Sequence, residues 1–159
     1  MLYEGVISIA MIKESHKNTI HRLIKYQENH KKAAILREEI AFAGPKTTAG
    51  YSLAPGGSGT SDSTGQLASK LSDKLDELRQ VEHEIKIIDM AVGMLSDPKK
   101  LIVQVRYLTE GGQDKGARIT LRANAKKFKW RMMSQNTYER LRDEAIQEIG
   151  RILGEVISE

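Results

Sequence analysis

The segment from Leu71 to Leu95 most constrains what this chain can fold into. Leu71, Leu75, Leu78, Val81, Ile85, Ile88, Val92 and Leu95 follow one another at steps of four or three. A period near 3.5 lines such residues along one side of a helix, and the positions between them are mostly charged. The three-residue step from Leu78 to Val81 is a slip in the alternation. An apolar seam of this kind needs a cover. It packs either on an earlier helix of the same chain, as an antiparallel hairpin, or on a second subunit through the 67–95 helix. Spacing leaves both open.

The earlier helix is legible between residues 5 and 43. Ile20, Leu23, Ile24, Ala34, Ile35 and Ile40 recur at helical intervals among charges, and no proline interrupts before Pro45. Asn18 or Thr19 is suited to cap its start, and Gly44-Pro45 to end it. The apolar run Val6–Ile12 reads as a separate helical turn or a strand. Residues 44–66 are rich in Gly, Ser and Thr and nearly without apolar side chains, which predicts a flexible loop. Its "GGSGTS" lacks the Gly-Lys-Ser/Thr ending of a phosphate-binding loop, and no apolar strand leads into it. The expected domains are therefore residues 1–95, a helical hairpin or coiled-coil region containing the loop, and residues 96–159.

With 40% hydrophobic and 29% charged residues, the chain is not disordered overall. It has no cysteine, which excludes a disulfide framework and a thiolate metal site and fits a reducing compartment. The start has neither a basic leader nor a small-residue cleavage site, and no run approaches the ~18 apolar residues of a membrane span. A soluble, cytoplasmic protein without a membrane partner is expected.

The region after Ser96 is all helix by pattern. Asp97 caps and Pro98 takes the first helical position of "PKKLIVQVRYL", with Leu101, Ile102, Val105 and Leu108 inward. "TEGGQDKGAR" reads as an exposed turn. "ITLRANAKKF" follows as a short helix with Leu121, Ala125 and Phe128 on one side. The last helix opens at Ser134, a good N-cap, and runs to about Glu155 with Tyr138, Leu141, Ala145, Ile149 and Ile152 inward.

Charge singles out this region for function. Pro98–Met133 holds ten basic residues against Glu110 and Asp114, a net +8, whereas the whole chain carries +4 and the remainder is therefore −4. One basic segment in a mildly acidic chain favours a polyanionic partner, though a solvated face has the same composition. "SQNTYERLRDEAIQEI" begins directly after it. Gln135, Asn136 and Arg140 face outward at the start of that helix, and Asn or Gln pairs with adenine as Arg does with guanine. Ser134 and the first N–H groups suit a phosphate. Arg118, Arg122, Lys126, Lys127, Lys129 and Arg131 on the preceding elements suit phosphate contacts. This is the residue pattern of a helix-turn-helix on double-stranded DNA.

"LSDPKKLIVQVRYLT", "ITLRANAKKF" and "SQNTYERLRDEAIQEIGRIL" resemble the C-terminal domain of phage late-gene transcriptional regulators of the RinA/ArpU type, which are similar to the region-four domain of sigma factors. Arg106-Tyr107, Ser134, Thr137, Arg140 and Ala145 match the pattern. The resemblance implies an all-α protein with a C-terminal sigma-like helix-turn-helix, binding promoter or operator DNA, with RNA polymerase as a further partner. Two departures are visible. Asn124 stands where the family has an apolar residue before Ala125, and the stretch from Phe128 to Ser134 is longer than the family's turn.

No catalytic constellation is present. His16 and His21 are five apart rather than four, His30 and His83 stand alone, and no cofactor motif appears. Two other classes remain as alternatives: a small-terminase-like DNA-packaging subunit, which a ring of subunits would favour, and a helical structural adaptor whose basic stretch is merely solvated.

Overall fold

The computed structural model describes residues 3–43, 63–128 and 134–154. Every regular element among them is helical. They are α1 (Tyr3–Ala43), α2 (Ser63–Gly93), α3 (Asp97–Val103) continuing into a π-helical turn (Gln104–Leu108), α4 (Asp114–Ala123) and α5 (Gln135–Ile152). Residues 44–62, with the "GGSGTS" stretch, and the predicted phosphate contacts Lys129 and Arg131 lie outside the described residues.

α1 and α2 lie side by side. Arg22 and Tyr26 meet Glu84 and Asp89, whereas Lys32 and Glu39, further along α1, meet Glu77 and Lys74. The partners move down α2 as α1 advances, so the helices run antiparallel. Exposed pairs of this kind add tenths of a kcal/mol each. The larger contribution comes from the seam. Val81, Ile85, Ile88, Val92 and Leu95 are buried, as are Leu23, Ala33 and Leu36 on α1. Each buried Val, Leu or Ile among them contributes roughly 1.5–3 kcal/mol of transfer free energy. In this structure α1 of the same chain lies along the seam.

Several expectations are corrected. α1 runs unbroken through Val6–Ile12, so Asn18 and Thr19 are interior positions and Thr19 is fully buried. Ile24 and Ile35 are exposed, and Leu23 and Leu36 beside them are buried. Two stripes one residue out of phase satisfy the same spacing, and packing on α2 and α5 selects one. α2 begins at Ser63, four residues inside the expected loop. Ser96, with extended backbone, is the N-cap of α3, and Asp97 and Pro98 lie in its first turn.

α3 and its π-helical continuation are buried on two sides. Ile102, with Leu101 and Val105, joins Ala117 and Leu121 of α4 and Tyr138 and Leu141 of α5. Val103 and Tyr107 join Leu23, Ile88 and Val92 of the long helices and Ala145, Ile146 and Ile149 of α5. Periodicity had placed Val105 and Leu108 inward but not Val103. The second core, supplied by α1 and α2, explains the difference. At the N-terminal end of α3, Lys99 reaches Glu148 at 2.9 Å and Glu144 at 3.4 Å on α5. At the other end, the Gln27 amide of α1 donates to the Leu108 carbonyl.

The turn into α4 rests on two glycines. Gly111 has φ +69°, a conformation other residues rarely adopt. At Gly112 an added methyl would lie 2.6 Å from the Arg106 carbonyl oxygen and nearer still to that of Val105. Gly116, within α4, faces open space. Gly112→Ala is therefore expected to cost about 1–3 kcal/mol by overpacking. Gly116→Ala should add about 0.5–1 kcal/mol of stability by removing a helix-interior glycine. Thermal or urea denaturation of the two variants checks the opposite signs.

Candidate nucleic-acid interface

α4 starts at Asp114, five residues earlier than the pattern suggested, so Arg118 sits in a helix rather than a turn. It ends at Ala123 rather than Phe128. The Asn124 side-chain amide donates to the Thr120 carbonyl at 2.8 Å, competing for a helix-type acceptor. The backbone then closes three-residue turns, with Ala125 N–H on Arg122 O, Lys127 N–H on Asn124 O and Phe128 N–H on Ala125 O. Phe128 still packs on the Ile102–Leu121–Tyr138 cluster, as its spacing predicted.

The orientation of α4 about its axis is set by two contacts. Ala117 and Leu121 are buried against α3 and α5. Asp114, the only acid on α4, is engaged inward. It accepts from the Tyr138 hydroxyl at 2.7 Å and from Arg106 Nε at 3.1 Å, and Arg142 lies 3.6 Å away. Partial burial opposes its charge, but the hydroxyl and the two guanidinium groups outweigh that effect and hold the carboxyl below its usual range. Burial and the Asp114 bond push the Tyr138 phenol upward.

With the acid turned in, the outer face of α4 presents Lys115, Ile119, Arg122 and Ala123, with Arg118 half-buried at its edge. Lys126 and Lys127 are exposed in the turn beyond. Among the described residues, no carboxylate lies within ion-pair distance of Lys115, Arg118, Arg122, Lys126 or Lys127. On the long helices Lys17, Arg22, Lys31, Lys32, Arg37, Lys74 and Arg79 are paired, and Lys25, Lys70 and Lys86 have no carboxylate partner among the described residues.

The start of α5 agrees with the expectation in most respects. Ser134 is the N-cap and its hydroxyl accepts from Thr137 N–H at 3.2 Å. Gln135, Asn136, Glu139 and Arg140 are exposed, and Tyr138, Leu141, Ala145 and Ile149 are buried. Ile152 is partly exposed, and the helix stops there, with Gly154 at φ +72°. The amide of Gln135 is engaged, donating to Glu139 Oε1 at 3.0 Å, and Arg140 lies 3.7 Å from Glu144. Asn136 makes no side-chain bond among the described residues.

Residues 124–134 separate α4 from α5, against the three or four of an ordinary helix-turn-helix turn. Tyr138 and Arg142 of α5 reach Asp114 in the first turn of α4, so the two helices are joined through that turn. Sequence reasoning missed Lys115, because the helix was started at Ile119, and it gave Ile119 itself no role. Carrying its period back to Asp114 would have placed both on the face of Arg122.

Away from this face, an open cleft lies between α1, α2 and α3, lined by Tyr26, His30, Asp89, Lys100 and Gln104 among others. The Tyr26 hydroxyl donates to Asp89 at 2.6 Å, and burial together with this bond pushes the phenol up to about 12. Among the described residues, no group of three or more His, Asp or Glu is placed to hold a metal ion, and no helix is long and apolar enough to cross a membrane.

Compared with protein-family models, with curated proteins and with solved structures, the chain matches none.

The Asp114 arrangement has a pH signature. A carboxyl held below its unfolded value stabilises the fold fully above that value, near 3.9, and the contribution is lost as pH falls through the folded one. Asp114→Asn should lower the melting temperature at pH 7, and its difference from the parent should close below about pH 4. Melting curves from pH 7 to pH 3 test this; a gap that stays constant would mean that the charge of Asp114 is not what holds α4.

Proposed function

We propose that this chain is a sequence-specific DNA-binding transcriptional regulator of phage or prophage origin, acting on promoter or operator duplex. The observation that carries the reading is the set of cations, Lys115, Arg118 and Arg122 of α4 and Lys126 and Lys127 of the turn after it, that have no carboxylate partner among the described residues. A surface without internal counter-charges gains from phosphates, because binding releases the counterions condensed on the duplex. The exposed amides at the N-terminal tip of α5 belong to the helix whose Tyr138 bonds Asp114 in the first turn of α4.

In this reading α3, α4 and α5 form the sigma region-four-like unit, with residues 124–134 between the last two helices. α1 and α2 form a helical hairpin that serves as its arm. Contacts with RNA polymerase and self-association fall to the arm, where Leu67 and Met90 of α2, and Met94 just after it, are left exposed. The protein acts by binding, with no catalytic step.

Fluorescence anisotropy on random duplex and on DNA from the chain's own genomic neighbourhood, across a salt series, tests the proposal. Binding should weaken steeply as salt rises. Lys115→Ala, Lys126→Ala and Lys127→Ala should each weaken binding to all sequences alike and reduce the salt slope by about one. Absence of binding to any duplex at low salt would sink the proposal and leave the cationic face as a solvated surface.

A further inference from the structure

We infer that α4 is the helix that reads bases, through Arg122 and Ile119, and that the amide tip of α5 is peripheral to the reading. This rests on the DNA-binding reading above and names the specificity-determining residues within it. Three observations carry it.

The first is the composition of the two exposed faces. The outer side of α4 shows Lys115, Ile119, Arg122 and Ala123 and no acid, because Asp114 is turned into Arg106, Arg142 and Tyr138. The exposed side of α5 shows Glu139, Asp143 and Glu144 among its polar residues. A helix laid in the major groove runs between two phosphate backbones, and carboxylates along its sides are repelled by both.

The second is Ile119, 58% exposed between Lys115 and Arg122. It is the large apolar residue on the outer face of α4, and it joins none of the core clusters among the described residues. In a groove, an apolar side chain contacts the thymine methyl group, and the Ala123 methyl one turn on is suited to the same contact. Arg122 has the geometry for the two acceptors of guanine.

The third is the state of the α5 side chains. Gln135 is bonded to Glu139 and Arg140 lies near Glu144, so two of the three reading residues expected on α5 already face acids of their own helix. The connection 124–134 also departs from the turn that, in an ordinary helix-turn-helix, hands the groove to the second helix. A ten-residue helix such as α4 is about 15 Å long, enough to place positions 115, 119 and 122 over successive base pairs.

The experiment is site selection from a random duplex library with the full chain and three variants: Ile119→Ala, Arg122→Ala and Asn136→Ala. Affinity is then measured on the selected and on random duplex. All three side chains are exposed, and melting curves confirm folding. Arg122→Ala should reduce preference for the selected site roughly tenfold or more, Ile119→Ala several-fold with unchanged affinity for random duplex, and Asn136→Ala should leave the selected motif as it was. Loss of preference in Asn136→Ala with retention in the other two would overturn the inference and return reading to α5. Binding without any selected motif would overturn it while leaving duplex binding by the cationic face intact. No binding to any duplex would remove the DNA-binding reading and this inference together.

Discussion

One carboxylate sets the relation between the three C-terminal helices. Asp114 takes the Tyr138 hydroxyl from α5 and the Arg106 guanidinium from the π-helical turn, with Arg142 close by. A half-buried charge is retained only where such partners replace water. Satisfying it fixes the rotation of α4, and that rotation decides which side chains face solvent. The apolar pair Ala117 and Leu121 fixes the same rotation from the core side. The cationic surface is in this sense a by-product of where the single acid of α4 is bound.

α3 transmits this arrangement to the rest of the molecule. Buried on one side against α4 and the start of α5, and on the other against α1, α2 and the end of α5, it couples two cores that share no other short element. Lys99 between Glu144 and Glu148 ties its N-terminal end to α5, and Gln27 holds its C-terminal end to α1. The sorting of charge follows from this division. On the long helices, Arg22 with Glu84, Lys32 with Glu77, Arg37 with Glu82 and Lys74 with Glu39 neutralise one another across the α1–α2 contact. On α4 the neighbours that could do so are turned inward.

How much of this was legible in the sequence varies by element. The seam from Val81 to Leu95 was read correctly because its period admits one helical face and its flanks are charged. The start of α5 was equally legible, since Ser134 caps it as its side-chain chemistry predicts and the inward set Tyr138, Leu141, Ala145 and Ile149 is buried. The stripe of α1 was read in part: Leu23 is buried as expected, but Ile24, Ala34 and Ile35 are exposed, because Leu23 and Ile24, Ala33 and Ala34, and Ile35 and Leu36 are adjacent pairs that periodicity cannot rank. The start of α4 was missed because glycines 111, 112 and 116 read together as a turn. Only the first two form the turn, and the third sits in the helix.

The sequence by itself determined that the chain is helical, that α2 needs a helical partner, and that positive charge collects between residues 98 and 133. These follow from side-chain period and composition, which are local properties. It also determined the N-cap of α5, a contact spanning three residues. Only the tertiary structure decided that α1 covers the seam, that Val103 and Tyr107 face a second core, and that Lys115, Ile119 and Arg122 share an outer face without an acid. Those outcomes depend on contacts between residues far apart in the chain: Leu23 with Ile88, Asp114 with Tyr138, Lys99 with Glu148. A helix has several faces its sequence can bury, and the neighbours it meets on folding select among them.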